Sequence, residues 1–131
     1  MTIKTELLNI LYRAIELNAP NIQFNLVDNG EIWVLLRAGN IMVQHSSLST
    51  EKYKQMLKYV EKHTTFETRL KEYPYCSSGV IKFFEPKIII VCNVSIMVNT
   101  FSGFKSLNLR IKNPFIPKCK KEIKKQAEMQ I

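Results

Sequence analysis

The side chains able to do chemistry are few, and their spacing assigns them no reaction. His45 and His63 lie 18 residues apart with no carboxylate or thiol at metal-ligand spacing, so they read as surface histidines. The three cysteines, Cys76, Cys92 and Cys119, form no C-x-x-C pair. Their odd number argues for a reducing compartment and against a disulfide framework or a zinc site. Cys92 falls inside an apolar run, as a small core residue does. Cys76 stands beside Ser77 and Ser78 and has the chemistry of a nucleophile, yet the sequence places no base next to it. Glu67, Glu72 and Glu85 are scattered as surface charges are. Gly30, Gly39, Gly79 and Gly103 lie far apart at expected turns, so nothing cradles a phosphate. No Gly-x-Gly-x-x-Gly and no His-Glu-x-x-His occurs either. The expectation is a non-enzyme, with no catalytic residue, no metal ligand and no cofactor assigned.

Two further groups could hold a partner. Trp33, Phe83, Phe84 and Phe101 would stack on single-stranded nucleic acid if they shared a sheet face, although strand aromatics also serve as core. Lys118, Lys120, Lys121, Lys124 and Lys125 would attract phosphate, from an anionic membrane surface or from nucleic acid. The same lysines suit a solvated helix or linker.

The chain that carries these groups has 131 residues, enough for one domain that buries a core without disulfides or metal. Its 46% apolar, 10% aromatic and 23% charged residues are globular proportions. The net charge of +8 divides evenly: six lysines against Glu122 and Glu128 put +4 into residues 112–131, and the rest is diffuse. The N-terminus is interrupted by Lys4, Glu6, Arg13 and Glu16 and lacks the unbroken core of a signal peptide. The apolar runs between Lys87 and Val98 are too short to span a bilayer. A cytoplasmic protein is expected, with the inner face of the membrane as a second location.

Hydrophobic periods supply the elements. Residues 3–17 place Leu7, Leu8, Leu11, Ala14 and Ile15 at helical spacing, with Asn18 to terminate the helix and Pro20 to prevent its continuation. Ile22, Phe24 and Leu26 alternate as a half-buried strand, and Asp28-Asn29-Gly30 supplies a tight turn. Glu31–Arg37 and Ile41–His45, joined by Ala38-Gly39-Asn40, complete a three-stranded meander. Ser49 is the expected N-cap of a second helix, with Leu48 and Tyr53 as its hydrophobic staple. That helix buries Tyr53, Met56 or Leu57, and Val60. The helical spacing of Phe66 and Leu70 predicts a short helix or turn before Pro74. Strands follow at 80–84, 87–94, 95–101 and 106–111. Pro114 and Pro117 mark a boundary before a basic helical tail. Grouped hairpins with helices between them argue for α+β, with an antiparallel sheet of about six strands and helices packed on it.

The opening stretch carries a resemblance. A helix followed by Ala19-Pro20-Asn21-Ile22-Gln23-Phe24, a polar turn and a strand ending in Arg37 and Gly39 is similar to the N-terminal domain of type II secretion and type IV pilus ATPases. Competence-type DNA-uptake ATPases belong to the same family. Its first helix ends in Gly-Ala-Ser-Asp-Ile-His, and its hairpin carries Arg-x-Arg-x-Asp-Gly. Ala19, Ile22, Arg37 and Gly39 match; Pro20, Asn21, Gln23 and Ala38 replace Ser, Asp, His and Asp. Ser78-Gly79 stands where the family has a Gln-Asp-Gly-Arg turn. Val94-Ser95, Asn99-Thr100, Gly103 and Leu109-Arg110-Ile111 resemble its Arg-Val-Ser-x-x-Pro-Thr, Gly-Glu and Leu-Arg-Ile ending.

The resemblance covers about residues 5–112 and implies a PAS-like domain at 1–113 with a tail or linker at 114–131. It implies a non-catalytic regulatory and assembly role, because the P-loop motor of the family is absent from this chain. The implied partners are a secretion or pilus ATPase motor domain, adjacent subunits and further copies of the chain. Arg37, Arg110, Asn21 and Gln23 are the implied interface or nucleotide-proximal positions. Alternation with Leu109 and Ile111 predicts that Arg110 points away from their face. A small basic nucleic-acid-binding protein, using the lysine tail and an aromatic sheet face, is the alternative expectation. A PAS-like small-ligand sensor is a third, and needs a cavity between sheet and helices.

Overall fold

A computed structural model describes residues 2–69 and 76–112. Within them the fold is α+β, with two helices and a seven-stranded antiparallel sheet. Helix α1 (Ile3–Glu16) is capped by Thr2, whose hydroxyl accepts the Thr5 N–H at 3.1 Å. It ends as its sequence requires. Asn18 adopts the left-handed conformation (φ 52°), Asn18 N–H donates to the Ile15 carbonyl, and Ala19 N–H to that of Ala14. This double closure satisfies two terminal carbonyls and aims the chain into the sheet.

Strands β1 (Asn21–Leu26), β2 (Ile32–Ala38) and β3 (Ile41–Leu48) form the first meander. The β1–β2 turn has one positive φ rather than several, at Gly30 (85°), while the Asn29 side chain accepts the Glu31 N–H at 3.0 Å. The β2–β3 turn takes Gly39 at φ 61°, followed by Asn40 with ordinary φ, which is the type II′ pattern. Helix α2 (Thr50–His63) follows, with the Ser49 hydroxyl accepting the Lys52 N–H at 3.1 Å.

Two expectations are corrected here. The short helix expected after residue 64 is instead strand β4 (Thr65–Arg69); residues 70–75 lie outside the described residues. Three threonines among residues 64–68 explain it, since β-branched side chains favour strands and outweigh the helical spacing of Phe66 and Leu70. Thr64 makes the switch: it is extended (ψ 134°), and its buried hydroxyl donates to the Val60 carbonyl at 2.6 Å. The two strands expected over 87–101 are one, β6 (Ile89–Val98), because no turn residue separates Val94 from Ser95. With β5 (Cys76–Phe84) and β7 (Lys105–Ile111) the count is seven rather than about six. The tail 114–131, including Cys119, lies outside the described residues.

The strand order is β3-β2-β1-β7-β6-β5-β4, so the first and last strands meet in the middle. They pair over only three residues, Asn21–Gln23 against Asn108–Arg110. Where β1 stops pairing, α2 takes over. The Tyr53 hydroxyl accepts the Leu107 N–H at 3.0 Å and donates to the Lys105 carbonyl. Its ring lies between Phe24 (5.8 Å between centroids) and Phe104 (5.4 Å, nearly parallel). Burial pushes the Tyr53 phenol up to about 12, although the Leu107 bond pulls the other way.

Both helices cover one face of the sheet. Leu7, Leu11 and Ala14 of α1 and Tyr53, Met56 and Val60 of α2 share a single buried cluster with Ile22, Phe24, Ile90, Leu107 and Leu109. These side chains pack together between the sheet and the helices. Lys52 joins the helices through a 2.9 Å ion pair with Glu6.

Candidate functional site

Among the described residues the other face of the sheet carries no helix, and strand alternation decides what it displays. Buried Ile22, Phe24, Leu107, Leu109, Val94 and Ile96 point to the helices, so their neighbours point the opposite way. Three expected site residues, Asn21, Gln23 and Arg110, are among those neighbours, and Arg37 joins them from β2. Asn21 lies directly opposite Arg37 on β2 and directly opposite Arg110 on β7, and Gln23 is one step along the same face, opposite Asn108. The register therefore brings Arg37, Asn21, Gln23 and Arg110 together from three adjacent strands. Arg110 is exposed between buried Leu109 and Ile111, pointing away from their face.

The same rows continue outward. Arg110 faces Asn93 on β6, Asn108 faces Ser95, and Ser95 faces Ser78 on β5. Asn21, Gln23, Ser78, Asn93, Ser95, Asn108 and Arg110 line a shallow recess of about 390 Å³. Its polar lining is amide, hydroxyl and guanidinium; no carboxylate contributes. Asn93, Ser95, Asn108 and Ser78 were not singled out from sequence as site residues. Their signal is the period-2 polar pattern in Cys92-Asn93-Val94-Ser95 and Leu107-Asn108-Leu109-Arg110.

The two arginines differ. Arg37 is tied back by a 3.0 Å bond from its Nε to the Gly39 carbonyl, which holds it at the β2–β3 turn. Arg110 makes no side-chain hydrogen bond or ion pair among the described residues and is free to meet an incoming anion or carbonyl. Chemically the face can orient and bind, through one unengaged guanidinium among neutral hydrogen-bonding groups.

The remaining groups are not drawn into this face as a reactive set. Cys92 is fully buried, and burial pushes its thiol up to about 12, which keeps it an unreactive core residue. His45 makes a 3.0 Å contact with the Ser46 hydroxyl, and its pKa is lowered by burial and then by the Arg13 charge. His63 lies against the Tyr59 ring, 4.3 Å between centroids. Among the described residues no three His, Cys, Asp or Glu side chains cluster as metal ligands. Phe83 is enclosed in the core and takes no part in a stacking surface, while Trp33 lies on β2, Phe84 on β5 and Phe101 in the turn between β6 and β7. Lys118, Lys120, Lys121, Lys124 and Lys125 lie outside the described residues. No described helix is long and apolar enough to cross a membrane. No protein-family model matches the chain, and no curated protein matches it by sequence.

Proposed function

We propose that this chain is a non-catalytic regulatory and assembly domain of a secretion, type IV pilus or DNA-uptake ATPase, PAS-like in fold, that contacts the motor domain and neighbouring subunits. The observation that carries the reading is the convergence of Asn21, Gln23, Arg37 and Arg110 on the helix-free face. These positions, far apart in sequence and singled out by the resemblance, occupy neighbouring places on three strands. A recess with amide, hydroxyl and guanidinium groups over an apolar floor, no carboxylate in its lining and an arginine unengaged among the described residues suits contact with a partner surface better than it suits turnover.

Two measurements test it. Isothermal titration of ATP and a non-hydrolysable analogue into the chain alone is expected to give no tight binding, and ATP turnover by the chain would sink the reading. Mixed with a secretion-ATPase motor domain, the chain is expected to co-sediment. Arg110→Glu should weaken that complex by about tenfold or more, as loss of an interface arginine does. Equal co-sedimentation by the variant would remove the helix-free face from the proposal.

A further inference from the structure

The two edges of the sheet are built differently. Strand β4, at one edge, is five residues long, includes Glu67 and Arg69 in its sequence, and is interrupted by a bulge between Phe66 and Thr68. Those are the usual devices that stop an edge from pairing further. Strand β3, at the other edge, has eight residues and contains no Asp, Glu, Lys, Arg or Pro; its own register shift against β2 falls at His45, after the regular stretch Ile41–Gln44. Its first three, Ile41, Met42 and Val43, are apolar in succession and are 69%, 46% and 42% exposed. Consecutive apolar residues put hydrocarbon on both faces of a strand, the pattern of an interior strand rather than an edge.

The register shows which backbone groups are unpaired among the described residues. Ala38 and Ile41 flank the two-residue turn and form a hydrogen-bonded pair, so alternation turns the backbone of Ile41 and Val43 toward β2. The N–H and C=O groups of Met42 and Gln44 then point outward. A partner must offer an extended, uncharged strand with apolar side chains on both faces. Among the described strands, β3 itself is the exposed one that fits.

We infer that the chain self-associates through β3, two copies pairing antiparallel about a two-fold axis centred on Val43. In this register Met42 exchanges backbone hydrogen bonds with Gln44 of the second copy, and Gln44 with its Met42, about four bonds in all. Val43 meets its own counterpart across a non-hydrogen-bonded pair, with Cα atoms about 4.5 Å apart. The sheet becomes continuous through both copies. The contact is isologous and closes at two. The net charge of +8 opposes association in general, but none of the ionised lysine, arginine or acidic side chains belongs to β3.

Sedimentation equilibrium of the full chain tests this at protein concentrations up to about 500 µM, since one strand pair makes a small interface of the weak class. A reversible monomer–dimer equilibrium is expected. Val43→Lys should abolish it while far-ultraviolet circular dichroism stays unchanged, because Val43 is half exposed. Thr65→Lys on the opposite edge should leave it intact. Val43→Cys under oxidising conditions should yield a disulfide joining the two position-43 side chains, identified by peptide mass mapping, since the paired Cα spacing suits that bond. A chain monomeric throughout, a dimer that survives Val43→Lys, or absence of the mapped disulfide would each overturn the inference.

Discussion

At the residue scale, Tyr53 does more than fill the core. Its hydroxyl serves two backbone groups of β7 at the point where β1 has ended, and its ring separates Phe24 from Phe104. Tyr53→Phe keeps the ring and strands both backbone groups, and a buried unsatisfied group costs about 1–3 kcal/mol. Urea unfolding of the variant should show that loss as a lower midpoint with an unchanged slope. A midpoint equal to wild type would mean that the hydroxyl contributes nothing to closing the sheet. Tyr53 was legible in the sequence as a buried staple residue. Its polar duty was not, because that depends on β1 and β7 parting after three residue pairs, a long-range event that leaves no local pattern. The helix-ending role of Asn18 and the capping role of Ser49 were legible, since both are satisfied within a few residues.

Among the elements, β4 is the one held by the least sequence information. It reaches the sheet only because Gly79 has no side chain: a Cβ there would lie 2.7 Å from Phe66 Cα and against the Thr65 carbonyl oxygen. Gly79→Ala must therefore push β4 away from β5, at a cost of about 1–3 kcal/mol for an overpacked site. Hydrogen exchange should report faster exchange confined to the β4–β5 ladder, with β1, β6 and β7 protected as before. Uniform loss of protection would show instead that β4 is integral to the whole fold. The first meander was readable because β1 alternates, β2 and the start of β3 are short apolar runs, and its turns carry Gly30 and Gly39. Strand β4 was not, because Phe66 and Leu70 satisfy a helical period while Thr65–Thr68 satisfies a strand preference, and only the tertiary partner decides between them. Of the polar face, Asn21, Gln23, Arg37 and Arg110 were readable one by one, while Ser78, Asn93, Ser95 and Asn108 were not singled out. Its assembly from β1, β2, β5, β6 and β7 was not readable, since the pairing of β1 with β7 joins residues nearly ninety positions apart.

At the scale of the molecule, two meanders of local hairpins are joined through one short central seam. That layout places the first strand beside the last, and the consequence is one of timing. During synthesis β1–β3 and α1 emerge early, but the inner edge of β1 has no strand to meet until residues 105–111 have left the ribosome. The nascent chain must therefore wait with two sheet edges open, β1 on one side and β3 on the other. Long-range closure of this kind slows folding and prolongs exposure to aggregation. A chain truncated after Val98 should keep the β1–β2 ladder yet leave unprotected those β1 amides that bond to β7, as hydrogen exchange on a ribosome-stalled or chaperone-held fragment would read. Protection of those amides without β7 would show that the seam is dispensable. Among the described strands the last to be made is the keystone of the sheet, since β1 gains its second neighbour only when β7 arrives.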